Sequence, residues 1–199
     1  FLEDWCYATK PAPSEPSLFA TDPVAQGDLV QILDSGPDKE HETIKAAFFA
    51  AINMAASRAW LCTPYFIPDE AMSFALKAAA LRGVDVRVLV PHKSDSRTVS
   101  AAARSHYDPL LRAGVRIFEY QTRMLHAKTL VIDDWMGSIG TANFDNRSFR
   151  LNFEVTALVY SKRIAEELAA NFDRDLSDAK QVTVASRLRL PLSRRLFEG

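Results

Sequence analysis

The chain has 199 residues, 48% of them apolar, and a formal net charge of −1. This is enough for one well-packed domain, and the balanced charge disfavours a nucleic-acid-binding protein. Two cysteines are too few for a disulfide framework, and every apolar run falls short of the roughly 18 residues of a membrane-spanning helix. Because the chain starts at Phe1 without a methionine or a signal peptide, we expect a fragment of a longer protein.

The first half of the chain alternates predicted strands with predicted helices. Residues 1–23 contain four prolines among small residues, which predicts a linker or the tail of a preceding domain. Apolar and β-branched runs predict strands at 28–37, 59–63, 84–90 and 115–120. Apolar residues at helical spacing predict helices at 38–58, 69–83 and 94–114. This alternation favours parallel strands joined by right-handed crossovers.

The second half has closely spaced strands and ends in a basic segment. Strands are predicted at 128–133, 137–141 and 152–160, with connections so short that antiparallel hairpins are expected, and a last helix at 161–178. We therefore predict an α/β domain over residues 24–180, a mixed β-sheet flanked by helices on both faces. Residues 181–199 alternate arginine with leucine, which indicates a basic amphipathic tail for an acidic membrane surface or a neighbouring domain, or a solvated tail.

One stretch of 18 residues, HAKTLVIDDWMGSIGTAN, carries the clearest chemical signal. Its polar residues follow the spacing H-x-K-x4-D-x6-G-T-x-N, and they are His126, Lys128, Asp133, Gly140, Thr141 and Asn143. A neutral imidazole can attack a phosphodiester, and lysine, amide and hydroxyl donors can stabilise the charge of the phosphoryl transition state. The pattern therefore predicts a site that binds a phosphate beside a potentially nucleophilic imidazole.

Strand geometry separates these residues into two groups. Side chains two apart on a strand share a face, with Cα atoms roughly 6–7 Å apart, so His126 and Lys128 should grip one phosphate. Thr141 and Asn143 should share a face in the same way. Asp133 is seven residues from His126, an odd interval, and we expect an orienting or structural role for it. The other histidines lie outside the pattern, where a histidine is usually an ordinary surface or core residue.

The stretch resembles the HKD motif of the phospholipase D superfamily, with Thr141 in place of the usual serine. Longer segments resemble the second phospholipase D domain of bacterial cardiolipin synthases over nearly the whole chain. These are LDSGPD, TPYFIPDE, LVPHKSD, GVRIFEYQTRMLHAK and SIGTANFDNRSFRLNFEV, while FLEDWCYAT resembles the end of the first such domain.

The resemblance implies a role for each matching residue. His126 would form a phosphohistidine, or act as the acid opposite the other domain's nucleophile. Lys128, Thr141 and Asn143 would bind the substrate phosphate. Glu154 matches an acid that orients the imidazole, although an exposed strand position is the alternative. No metal or other cofactor is implied. Arg147 and Ser148, which follow the motif, would line the site or stabilise its loop.

Such enzymes use two HKD motifs, and this chain has one. His92 is followed at once by Lys93, so the two side chains would face opposite sides of a strand, and no glycine and asparagine follow at the right spacing. A second HKD domain, upstream or in a second copy of the chain, must complete the site, and we expect the isolated chain to be inactive. The resemblance further implies phosphatidylglycerol as substrate and the bacterial inner membrane as location.

Three alternatives to cardiolipin synthesis remain open from the sequence. If water intercepts the phosphohistidine, the same site is a phospholipase D-type hydrolase. A homodimer with one motif per chain would suit a nuclease, which the near-neutral charge disfavours. A non-catalytic domain that binds lipid is the third, and the complete motif argues against it.

Overall fold

The computed structural model describes residues 2–10, 27–94 and 97–189. The strands are β1 Leu29–Ser35, β2 Arg58–Cys62, β3 Phe66–Ile67, β4 Asp85–Pro91, β5 Arg116–Tyr120, β6 Thr129–Ile132, β7 Met136–Gly140, β8 Phe144–Asp145, β9 Glu154–Tyr160 and β10 Ala179–Val182. The helices are α1 Leu2–Thr9, α2 Thr43–Met54, α3 Glu70–Leu81, α4 Arg97–Ser105, α5 Tyr107–Arg112, α6 Asn146–Arg150, α7 Lys162–Ser177 and α8 Val184–Leu188.

Eight strands form one mixed sheet in the order β1-β9-β7-β6-β2-β4-β5-β10. The three strands separated by helices, β2, β4 and β5, are parallel. The strands joined by short connections, β6, β7 and β9, are antiparallel. Both halves of the predicted topology are therefore confirmed. A separate short ladder pairs β3 with β8.

Helices cover both faces of the sheet, as predicted. On one face α2, α3 and α5 pack on the sheet through a cluster that includes Ile52, Leu76 and Leu110, all fully buried. On the other face α7 packs over the middle strands, where Phe172 lies 5.3 Å from the ring of Trp60. The sheet is thus the middle layer of an α-β-α sandwich.

Two predicted boundaries differ from the structure. Helix α2 begins at Thr43 instead of residue 38, because the chain first makes a turn in which the Lys39 N–H donates to the Gly36 carbonyl at 3.1 Å. The domain also continues past residue 180, since β10 pairs with the edge strand β5. Arg187 of α8, expected in a tail, is 8% exposed and donates to Asp108 at 2.9 Å.

The ends of the chain are described only in part. Within the predicted linker, Leu2–Thr9 form α1, and residues 11–26 lie outside the described ranges. Of the predicted basic tail, residues 190–199 also lie outside them.

The strand directions bring His126, Lys128 and Gly140 to one edge of the sheet, which we call the carboxyl edge. The parallel strands β2, β4 and β5 end there, β6 begins there because it runs antiparallel to β2, and β7 ends there. The opposite edge is the amino edge.

Candidate active site

His126 and Lys128 lie together at the carboxyl edge, in the segment that leads into β6. The Lys128 Nζ atom is 3.2 Å from both ring nitrogens of His126 and donates to the His126 carbonyl at 2.9 Å. The imidazole is exposed, and Lys128 is half-buried. Burial lowers the pKa of Lys128, while the negative charge of Glu154 opposes this change. The pair therefore presents an imidazole and an amine to the same point outside the sheet.

Gly140 ends β7 and Thr141 follows it, and both lie against β9. A Cβ atom on Gly140 would lie 2.3 Å from the hydroxyl of Thr156 and 2.7 Å from the carbonyl of Val155, so only glycine fits there. The Thr141 hydroxyl accepts from the Val155 N–H at 3.0 Å and lies 3.4 Å from the Val155 carbonyl. Its oxygen is thus anchored to β9, while its proton has only a long contact and can turn toward a ligand.

Asn143 is held by the segment that follows it. Its Nδ2 atom donates to the Ser148 hydroxyl at 3.2 Å, and its Oδ1 atom is buried without a partner among the described residues. Ser148 is fully buried, and its N–H donates to Asp145 at 2.7 Å. Ser148 therefore positions Asn143, a role that the sequence analysis did not separate from lining the site. Arg147 instead is exposed and donates to Asn152 at 3.3 Å.

Glu154 begins β9 beside the motif. It pairs with Ser35 in the ladder and accepts from the Asn152 side chain at 3.1 Å. Among the described residues it makes no hydrogen bond to His126, and its electrostatic effect falls on Lys128. The orienting contact that the resemblance implies is thus absent from this arrangement of the side chains.

Asp133 lies at the amino edge, at the far end of β6 from His126. Seven residue steps separate the two, which is about 23 Å of extended chain. Its carboxylate accepts from the N–H groups of Ala56, Ser57 and Arg58, at 3.0, 2.7 and 2.9 Å. Burial alone would raise the pKa of Asp133, but these hydrogen bonds outweigh burial and lower it to about 2. The structure therefore places Asp133 apart from the other motif residues, as a clamp on the start of β2.

Two other side chains near the carboxyl edge, Cys62 and His92, could react in principle but are engaged in the scaffold. Burial raises the pKa of the Cys62 thiol to about 12, so it remains protonated and a poor nucleophile. The His92 Nδ1 atom lies 2.7 Å from Glu119, which also accepts from Arg104 at 3.1 Å. Within the described ranges, no three histidine, cysteine or acidic residues are grouped as a metal site would require.

Comparison with known proteins shows the family of the chain. A family model described as "Cardiolipin synthase, PLD-like domain" matches residues 48–176, more than half of the chain. The chain is 44% identical over 202 aligned residues to cardiolipin synthase 2 of Bacillus anthracis, covering 100% of the chain and 39% of that protein. It is 45% identical over 183 residues to cardiolipin synthase A of Pseudomonas entomophila, covering 92% of the chain and 38% of that protein. The chain thus spans about two fifths of these relatives.

Solved structures share the fold at low sequence identity. Nuc of Salmonella typhimurium, a phospholipase D family member, has a TM-score of 0.67 at 19% identity, over 79% of this chain and 99% of that one. Phosphatidylserine synthase of Haemophilus influenzae has a TM-score of 0.65 at 14% identity, over 84% of this chain and 44% of that one. Because the family model matches more than half of its sequence, the chain belongs to the phospholipase D-like family of cardiolipin synthases.

Proposed function

We propose that this chain supplies one half of an active site that makes cardiolipin and glycerol from two molecules of phosphatidylglycerol. The observation that carries the proposal is the exposed His126 imidazole with the Lys128 amine 3.2 Å from both ring nitrogens. An exposed imidazole can reach a phosphorus atom, and an ammonium beside it can hold a phosphate oxygen. The whole-chain similarity to cardiolipin synthases gives the substrate class.

The reaction has two displacements at phosphorus. In the first, an imidazole nitrogen bonds to phosphorus, the bond from phosphorus to the glycerol oxygen breaks, and the opposing imidazole protonates that oxygen. In the second, the terminal hydroxyl of another phosphatidylglycerol attacks, gives its proton to the opposing imidazole, and the phosphorus–nitrogen bond breaks. His126 is either the nucleophile or the opposing acid and base, and Lys128, Asn143 and Thr141 hold the phosphoryl oxygens.

The opposing imidazole must come from a second HKD module. In the described part of the chain His126 is the histidine with a lysine two residues on, and His92 is engaged by Glu119. The remaining three fifths of the relatives' length is long enough for such a module. We place the whole enzyme at the bacterial inner membrane, where its lipid substrate lies; no helix in the described ranges is long and apolar enough to span a bilayer.

The test is product analysis of the longer, two-module protein incubated with phosphatidylglycerol and a metal chelator. We expect cardiolipin and glycerol, and His126→Ala should lower turnover by about 10³-fold or more. His41→Ala, which changes an exposed histidine outside the motif, is the control and should leave turnover unchanged. Phosphatidic acid as the sole lipid product would indicate a hydrolase, and DNA cleavage without lipid products a nuclease. Full activity of the His126→Ala protein would overturn the assignment.

A further inference from the structure

Helix α7 leaves part of its own face of the sheet uncovered. It starts at the amino edge, directly after β9, and contacts β7, β6 and β2 along its length. It ends at the carboxyl edge, where β10 starts beside β5. Because α7 crosses the sheet diagonally toward β5, the part of β1, β9 and β7 nearest the carboxyl edge lies outside its path.

Large apolar side chains occupy this uncovered area. A Cβ atom on Gly137 of β7 would lie 2.7 Å from Leu168, which identifies the face that α7 covers. Directly opposite residues of antiparallel strands share a face, and the register therefore places a second set of residues on the α7 face. These are Val30 and Ile32 of β1, Ile139 of β7 and Val155 of β9. Phe153, two residues before Val155, extends the set at the carboxyl edge. We call these five residues the apolar corner.

The apolar corner is open to solvent. Ile32 is 64% exposed, Phe153 is 73% exposed, and the other three side chains are each about half exposed. The charged residue of β1, Asp34, pairs with Lys39 at 2.9 Å and so leaves no free charge on that strand. Contiguous exposed apolar surface is typical of an interaction site.

The apolar corner adjoins the residues that we propose to act on the substrate. Ile139 lies opposite Thr129 in the ladder, and Thr129 directly follows Lys128. The Val155 N–H donates to the Thr141 hydroxyl at 3.0 Å. A partner that covers the apolar corner would therefore also lie beside the imidazole of the motif.

The strand at the border of the corner indicates which kind of partner fits. In the described part of the chain, β1 is the edge strand and pairs with β9 alone, so the outer side of its backbone has no strand partner. Unpaired backbone groups of this kind are too costly to place in the hydrocarbon of a bilayer. The first five residues of β1, LVQIL, contain neither the charges nor the proline that usually protect a free edge. The apolar corner therefore suits a folded protein surface better than a lipid interior.

The proposed reaction requires a protein partner at this place. An opposing imidazole can protonate the leaving oxygen only within hydrogen-bond reach of it. The module that carries this imidazole must therefore touch the surface around His126. The fully buried centre of such an interface is apolar and poor in charged residues. The apolar corner has this composition.

We propose that the apolar corner is the surface on which the upstream HKD module docks, so that its imidazole opposes His126. The inference rests on the proposed function, because that function requires a second imidazole. It adds the side from which the second module approaches, against β1, β9 and β7. The three fifths of the relatives' length that this chain does not span is long enough for that module.

Cysteine labelling of the two-module protein in the absence of lipid measures whether the corner is covered. Ile32→Cys places a thiol in the apolar corner, and Leu81→Cys, at the 75% exposed end of α3, is the matched control. Labelling of the wild-type cysteines is subtracted from both. We expect a maleimide to modify Ile32→Cys at least about tenfold more slowly than Leu81→Cys in the folded protein, and at a similar rate in urea.

Equal labelling rates in the folded protein would overturn the proposal. Slow labelling of Ile32→Cys only after vesicles are added would assign the corner to a bilayer. Slow labelling only at high protein concentration would assign it to a second copy of the chain. Either result would also overturn the proposal.

Charged substitutions test whether the covered surface assembles the site. Val30→Glu with Ile32→Glu adds two charges to the apolar corner, and Met54→Glu with Leu81→Glu adds two charges to exposed apolar residues at the amino edge. On monomeric short-chain phosphatidylglycerol, we expect the corner variant to lose at least about tenfold in turnover, because charges buried without partners separate the modules. The amino-edge variant should keep wild-type turnover.

Equal turnover of the two variants would overturn the docking surface. Wild-type protein that forms no lipid product, yet labels slowly at Ile32→Cys, would refute the proposed function and leave the docking surface supported. The two proposals can therefore fail separately.

Discussion

At the scale of single residues, Asp133 has the spacing of a motif residue, but its side chain stabilises the scaffold away from the active site. Its carboxylate also accepts from the Ser57 hydroxyl at 2.8 Å and from the Trp135 indole at 3.3 Å. It stands in a turn with φ of +49°, a conformation that asparagine also tolerates. We infer that Asp133 acts on the enzyme through stability, because its contacts with residues 56–58 hold the start of β2 to the end of β6.

Asp133→Asn should therefore lower the free energy of unfolding by about 2–3 kcal/mol, since an amide offers one acceptor where the carboxylate offers two. Urea unfolding measures this change. The control is Asp134→Asn, because Asp134 is exposed and its ion pair with Lys162 lies at the surface. We expect this control to lower the free energy of unfolding by about 0.5 kcal/mol or less. An equal loss in both variants, or loss of turnover without loss of stability, would contradict the structural role.

The same carboxylate predicts how stability depends on pH. Its pKa is 3.8 when unconstrained and about 2 in the folded protein, so folding favours the ionised form. The contribution, about 2 kcal/mol, is complete above about pH 4 and is lost as the pH falls toward 2. The stability gap between the wild type and Asp133→Asn should consequently narrow between pH 6 and pH 3, measured by urea unfolding at each pH. A constant gap would show that the charge of Asp133 contributes nothing.

The spacing of residues in the sequence predicts contacts between near neighbours on one strand. It does not predict contacts that depend on how separate elements pack. The H-x-K interval predicted the meeting of His126 and Lys128, because the contact spans two residues of extended chain. Ser148 could not be assigned to Asn143 in the same way. That contact depends on where α6 starts after Asp145, and nothing in the pattern of the sequence gives this position.

At the scale of elements, the pairing of β7 with β9 decides whether the motif assembles. Gly140 lies opposite Thr156, and Thr141 continues the contact by hydrogen bonds to Val155. Both strands were predicted from the sequence, at residues 137–141 and 152–160. The sequence did not predict β10, because AKQV is short and has no alternation of apolar with polar side chains. Its place at the edge of the sheet comes from pairing with β5.

Gly140→Ala tests this pairing. The new methyl group would meet main-chain and side-chain oxygens of β9, so β7 must move away, at a cost of about 1–3 kcal/mol and with displacement of Thr141. Gly137→Ala is the matched control in the same strand, where the nearest atom, 2.7 Å away, is the flexible end of Leu168. We expect lower turnover and a lower melting temperature for Gly140→Ala, and a smaller change in both for Gly137→Ala. Equal effects of the two substitutions would show that the close approach to β9 has no special importance.

At the scale of the whole molecule, the described residues form an α-β-α sandwich, and the proposed active site needs a second imidazole. All the main helical layers and the sheet are present, yet the exposed His126 has no opposing imidazole among the described residues. Two arrangements would supply it, a second module in the same chain or a second copy of the chain across a two-fold axis. The relatives favour the first, since this chain spans only 39% of cardiolipin synthase 2 of Bacillus anthracis.

Two altered forms of the longer protein separate these arrangements. If two copies of His126 form the site, the form changed only in the upstream module is active by itself; if the upstream module is needed, both forms are inactive, and mixing them shows whether the two modules pair within one chain. One form carries His126→Ala, and the other carries the same change in the HKD histidine of the upstream module. If each site is built within one chain, the mixture should stay inactive, because every chain lacks one of its two imidazoles. If the modules pair across a dimer, subunit exchange should restore up to about a quarter of wild-type cardiolipin synthesis. We expect no recovery even after refolding the two forms together, since the modules of one chain are held at a high effective concentration by the segment that joins them.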